Sequence, residues 1–188
     1  HRAHLAKSRG LTIEAARLFA AIPARDPGHG EAEQELVALF EGFGLLTSQE
    51  ITTFLDEEPR ATVAAHASAR LVFDVTDLLG HFRHQRLPTG IQRVQIEAVA
   101  AALATHGPEQ VAICGCISGR DGWIGIATAE FAALARLAAA GSEVADPAWR
   151  AARARLFFGL ATDPPFRMPE GAALINLGTA LWVTDYFR

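Results

Sequence analysis

The residues of this chain best suited to chemistry lie between positions 74 and 95: Asp74, Asp77, His81 and His84, then Pro88-Thr89-Gly90-Ile91-Gln92-Arg93. An apolar run, Leu71-Val72-Phe73-Asp74-Val75, leads into this stretch and an apolar helical segment leads out of it, so Thr-Gly falls where a helix begins. Helix starts leave backbone N–H groups unpaired and carry partial positive charge, the conditions under which phosphates and other anions are held. Gly90 lets an anion approach the backbone closely, and Arg93, one turn in, adds a full charge. Thr89 as a plain N-cap and Gly90 as a plain turn residue explain the same spacing equally well. Asp74 and Asp77 follow the strand, where a carboxylate orients a hydroxyl or, more commonly, caps a turn.

The remaining polar constellations are weaker. His81 and His84, with His29 distant in sequence, lack carboxylate or thiolate companions, so they predict a solvated basic loop and no metal site. Cys114 and Cys116 alternate on one face of an apolar run and lack the Cys-x-x-Cys spacing, which predicts small core residues in a reducing compartment. Gly178-Thr179 follows the apolar run Ala173 to Leu177, at the strand end where open α/β sheets gather ligand groups, and is a cleft candidate. No catalytic base stands out, and the Gly-x-Gly-x-x-Gly fingerprint of dinucleotide enzymes is missing after the first strand.

The elements that must position these residues are read from periodicity. Residues 71–75, 111–117, 124–126 and 173–177 predict strands. Residues 91–104, 129–140 and 147–157 predict helices, the first apolar nearly all round in its second half. A polar loop is expected between the first strand and the first of these helices, and Asp121-Gly122 predicts a tight hairpin turn into an edge strand. Strands alternating with helices imply an α/β layer architecture with a largely parallel sheet. Upstream, residues 12–22 and 31–43 carry apolar positions at helical spacing around the breaker Pro23-Ala24-Arg25-Asp26-Pro27-Gly28-His29-Gly30, and Thr47-Ser48-Gln49-Glu50 is a capping box for a third helix. The expected organisation is therefore a helical segment 1–59, a linker 60–70 and an α/β domain 71–188. In the hairpin, Ala15, Ala16, Phe19 and Pro27 resemble a single tetratricopeptide unit.

Composition narrows the function classes. Half of the 188 residues are hydrophobic and the net charge is -4, which suits a folded core and a soluble chain. No Lys/Arg cluster is present to neutralise nucleic-acid phosphates, and no apolar run is long enough to span a membrane. The chain begins at His1 without a secretory signal and ends on Trp182-Val183-Thr184-Asp185-Tyr186-Phe187-Arg188, which suggests a fragment.

The run Leu71 to Leu103, with Asp74, Asp77, Pro88-Thr89-Gly90-Ile91 and Arg93-Val94, resembles the start of the catalytic region in bacterial glycosyltransferases of the GT-B fold, the group that includes the retaining family four. The likeness extends more weakly through Asp121-Gly122-Trp123 to Leu174-Ile175-Asn176-Leu177-Gly178-Thr179, about two thirds of the chain. It implies a Rossmann-like N-terminal half preceded by a small all-α segment. Its donor would be a nucleotide-diphosphate sugar used without a cofactor, its acceptor a saccharide or lipid-linked glycan, and its role surface polysaccharide synthesis. By position, Thr89, Gly90 and Arg93 would face the donor phosphates, while Asp74, Asp77, Gly178 and Thr179 would line the acceptor side or the cleft. The second Rossmann domain of the family is not in this sequence, so the fragment alone is expected to be inactive. The implied location is cytoplasmic, with peripheral association at the inner face of the membrane an option. The alternative reading is a noncatalytic interaction module of helical repeats and an α/β domain.

Overall fold

The computed structural model describes residues 68–117 and 122–178, all within the unit Pro59–Arg188 of a chain that divides after Glu58. The hairpin, the third helix and most of the linker expected for the first 67 residues lie outside the described residues, as does Thr179.

Strand β1 (Leu71–Asp74) pairs in parallel with β2 (Val111–Gly115) on one side and with β4 (Ala173–Asn176) on the other. Strand β3 (Ile124–Ile126) runs antiparallel to β2, giving the order β3-β2-β1-β4. The fold is thus α/β with a largely parallel sheet. All of β2 and most of β1 are buried, as continuous apolar runs in central parallel strands should be.

In the strands, two details differ from the sequence expectation. The connection from β2 to β3 runs from Cys116 to Trp123, wider than a two-residue turn, and within it Gly122 holds φ at 76°, a left-handed conformation that favours glycine. β4 is an edge strand and not a buried one: Ala173 and Leu174 are exposed, because among the described strands β4 pairs only with β1. The other edge, β3, is buried throughout, and Ile124 forms a further bridge to Pro165.

Four helices are described. α1 (Thr76–Phe82) occupies the segment expected to be a polar loop. Its Thr76, Leu78, Leu79 and Phe82 fall on one side and are buried, and Leu79 packs against Gly115 of β2 so closely that a Cβ there would collide with it. Burial of this apolar face outweighs the weak helical preference of Gly80 and His81. α2 (Gly90–His106) follows after a short loop, and α3 (Thr128–Ala140) and α4 (Pro147–Thr162) lie between β3 and β4. α4 starts as its sequence predicts, with Pro147 in the first turn and the Asp146 carboxylate accepting the Ala148 N–H at 2.8 Å. It runs beyond Phe157 and stops at Asp163-Pro164-Pro165, where the first proline pushes its predecessor out of the helical region.

In the core, Phe82 of α1 meets Trp149 of α4. Both are fully buried and meet edge to face, ring centroids 5.2 Å apart at 79°, a geometry worth about 1 kcal/mol beyond the area removed from water. On the face of the sheet that carries Val72, Ala112 and Cys114, the described cover includes Trp123, Phe166, Met168 and Ala172. α2 departs most from its predicted character. It turns Gln92, Gln95 and Val99 inward and leaves Ile91 and Val94 exposed.

Candidate functional site

The chain leaves β1 on one side to form β2 and returns through α3 and α4 to place β4 on the other side. The carboxyl ends of β1 and β4 therefore flank a topological switch point, the place where open α/β sheets bind ligands. Asp74 ends β1 there and is buried. Its Oδ1 accepts the Thr76 N–H at 3.0 Å and the Thr76 hydroxyl at 2.6 Å, while its Oδ2 accepts the Asn176 side-chain amide at 2.9 Å. The Thr76 hydroxyl in turn accepts the Cys116 N–H at 2.8 Å, and Asn176 Oδ1 accepts the Gly178 N–H at 2.9 Å. One carboxylate thus ties together the ends of β1, β2 and β4. This is a positioning role, the commoner of the two offered for an aspartate at a strand end.

Asp77, on α1, is half-buried and faces α2. Its Oδ2 accepts the Gln95 amide at 3.0 Å and the Gln92 amide at 3.3 Å. Gln92 Oε1 receives the Thr89 hydroxyl, so a continuous polar chain runs from the start of α2 to the switch point. Gly178 closes it: a side chain there would collide with Asp77 Cβ and come within 3.2 Å of Gln95 Nε2. Of the residues singled out from sequence, the structure brings together Thr89, Asp77, Asp74 and Gly178.

Gly90 and Arg93 stand apart from this chain. Thr89 occupies the N-cap position with extended backbone, but its hydroxyl is turned to Gln92 and does not cap the helix. The first backbone donor of α2 to close on a carbonyl is that of Arg93, onto Thr89 O at 2.9 Å. The N–H groups of Gly90, Ile91 and Gln92 therefore stand ahead of the helical ladder. Around Gly90 there is open space where a Cβ would project, and the residue is exposed. Arg93 is exposed and folds back, its Nε donating to Pro88 O at 3.2 Å, so it braces the turn into the helix.

The loop before α2 exposes His84 and Gln85 to solvent, as expected, but buries Arg86 between them and Leu87. Arg86 is 4% exposed. It donates to Leu137 O at 3.0 and 2.8 Å, to Glu143 O at 2.7 Å and to Asp146 Oδ2 at 2.7 Å, and its guanidinium lies over the Trp149 ring, 5.7 Å from the centroid. The carbonyls in and just after the last turn of α3 need donors, and an arginine fork supplies several at once. His81 Nε2 donates to Leu87 O at 3.0 Å. The segment leading to Thr89-Gly90 is therefore anchored at Arg86, Leu87 and Pro88 in succession.

Electrostatics follow the burial. Burial, followed by the Asp74 carboxylate, pushes the Cys114 thiol far above its ordinary range and Cys116 up to about 11, so both are neutral thiols; Cys114 fills core space as expected, while Cys116, just past β2, is only half-buried. The Arg86 hydrogen bond, then that from Ala148 N–H, holds the Asp146 carboxyl below its ordinary value. Among the described residues no group of three or more His, Cys, Asp or Glu is arranged to hold a metal ion, and no helix is long and apolar enough to cross a membrane.

Sequence reasoning gave no role to Gln92, Gln95, Asn176 or Arg86. The glutamines carried a signal: positions 92, 95 and 99 share one helix face with an i, i+3, i+7 spacing, so the buried Val99 marks both as inward. Asn176 and Arg86 had none, because their roles depend on partners 102 and up to 60 residues away. No protein-family model, curated protein or solved structure matches the chain.

Proposed function

We propose that this chain is the N-terminal half of a GT-B fold glycosyltransferase that moves a sugar from a nucleotide-diphosphate donor to a saccharide or lipid-linked acceptor in surface polysaccharide synthesis. The observation that carries the reading is the start of α2. There, Gly90, Ile91 and Gln92 present N–H groups outside the helical ladder, beside a glycine with open space and next to the switch point of a parallel sheet. An anchored loop and a helix dipole are what a diphosphate leaving group needs, because charge that develops as the glycosidic bond breaks is stabilised best by donors already in place. In this reading Thr89 and Gly90 face the donor phosphates, Arg93 adds positive charge at the rim, and Asp74, Asp77 and Gly178 shape the cleft. The second Rossmann domain, outside this sequence, supplies the rest of the donor site.

Replacing Gly90 with valine in the full-length enzyme tests this. The open space at residue 90 predicts a folded protein with a thermal midpoint close to the original, while the added branch obstructs the phosphates and lowers sugar transfer at least tenfold. Unchanged kinetics would remove the loop from the mechanism and favour the interaction-module reading.

A further inference from the structure

Gln95 is 1% exposed, and its carboxamide lies between Asp77 on α1 and Gly178 after β4. Chemistry fixes its orientation. The Asp77 carboxylate only accepts, so the amide turns Nε2 toward Oδ2 at 3.0 Å and its oxygen away. That oxygen is buried and has no hydrogen-bond partner. Gln92, one turn earlier on the same face, gives the contrast: it donates to Asp77 and its oxygen receives the Thr89 hydroxyl, so it is satisfied at both ends. A buried acceptor without a donor is uncommon in folded proteins and marks a place where a donor is to be supplied from elsewhere. Here it lies at the switch point, beside a glycine that admits no side chain.

We propose that Gln95, with Asp77 and Gln92, forms a hydroxyl-recognising subsite in which Gln95 Oε1 accepts a hydrogen bond from a saccharide hydroxyl. The neighbouring groups select that chemistry. An anion meets the Asp77 carboxylate, and among the described residues no group of three or more His, Cys, Asp or Glu is arranged to hold a metal ion. A neutral hydroxyl both donates and accepts, matching an orphan amide oxygen next to amide N–H groups and a carboxylate. The oxygen is shut off from bulk water, so its use by a hydroxyl requires the turn at Gly178 to give way. The choice of a saccharide rests on the transferase reading, and the test separates the two.

The side-chain amide signals of Gln95 in the 15N-labelled full chain, assigned by their loss in Gln95→Met, report directly on this contact. The probes are UDP and GDP alone, then UDP-glucose, UDP-galactose and GDP-mannose, then the three free sugars. The expected result is that sugar-bearing probes move the Gln95 signals and the bare nucleotides do not, with saccharide affinity on the order of tenfold weaker in Gln95→Met for one lost hydrogen bond. Movement with the free sugars assigns the subsite to an acceptor-type saccharide; movement only with the nucleotide sugars assigns it to the donor. Both support it. Nucleotide shifts at Gly90 with unmoved Gln95 signals for every probe would overturn the subsite, leaving Gln95 with an ordered water only, while the transferase reading stands. Free sugars moving Gln95 without a nucleotide effect anywhere would uphold the subsite and sink the transferase reading. Silence from all probes overturns both. The signals are read on the unmodified protein, and through-bond correlation from the Gln95 backbone assigns them should Gln95→Met fail to fold.

Discussion

The carboxylate of Asp74 receives the side-chain amide of Asn176 at 2.9 Å across the seam between β1 and β4, while its other oxygen receives the backbone and hydroxyl of Thr76. Residues 102 apart in the chain thereby fix where the two strands end. The same Asn176 passes the constraint on, accepting the Gly178 N–H at 2.9 Å. The geometry of the candidate cleft thus depends on one buried carboxylate that itself has no need to touch a ligand.

Exchanging the two groups tests the seam. Asp74→Asn places one amide donor against another and is expected to cost about 2 kcal/mol, since hydrogen bonds to a buried charged group are worth roughly 1.5–3 kcal/mol. Asn176→Asp alone sets two carboxylates together and should cost at least as much. The double variant restores one donor facing one acceptor and keeps an acceptor for Gly178 N–H, so it should be more stable than the sum of the single losses predicts. A double-mutant cycle by urea unfolding reads the coupling; additive losses would mean that the contact does not hold the strands.

A methyl group at position 178 is the smallest change that disturbs the polar chain. Gly178→Ala would drive its Cβ into Asp77 and toward Gln95 Nε2. The expected loss is about 1–3 kcal/mol from overpacking, accompanied by altered side-chain amide signals of Gln92 and Gln95. A variant as stable as the parent with unmoved glutamine signals would show that the turn does not approach Asp77 as described.

The acid limb of the stability curve should carry the signature of the Arg86–Asp146 pair. The Asp146 carboxyl is held below its ordinary value of 3.8, so the folded state binds its proton less readily than the unfolded chain. Its contribution is complete above that ordinary value and disappears as the pH falls through the lower folded one. Asp146→Asn keeps a capping oxygen for Ala148 N–H but removes the charge. The gap in stability between parent and variant should be constant at neutral pH and close below about pH 4. A gap independent of pH would show that the charge contributes nothing beyond the cap.

The sequence made most of the fold legible because the strands and long helices announce themselves by apolar period: β1, β2, β3, α2, α3 and α4 all fall within a few residues of their expected places, as α4 at Pro147 shows. α1 stayed hidden because its seven residues include Gly80 and His81, and its helicity comes from burying Leu78, Leu79 and Phe82 against neighbours distant in sequence. The exposure of β4 was hidden because Ala-Leu-Ile-Asn reads the same at an edge as at the centre of a sheet. In the site, Thr89, Asp74, Asp77 and Gly178 could be named from their places at element ends. The inward turn of Gln92 and Gln95 goes against their polarity; the face they share with Val99 is the one sequence signal for it, and the packing of α2 against α1 and the sheet accounts for it.

Whether the start of α2 holds the diphosphate of a nucleotide sugar is read out by backbone amide NMR of this chain titrated with UDP and with GDP. Saturable shifts centred on Gly90, Ile91 and Gln92 are expected for at least one nucleotide, weakened by salt and by Gly90→Ala. That variant should itself be slightly more stable, by up to about 1 kcal/mol, because alanine loses less backbone entropy than glycine in an unstrained position. Shifts that gather elsewhere on the surface, or none at all with either nucleotide, would contradict a diphosphate site at the start of α2.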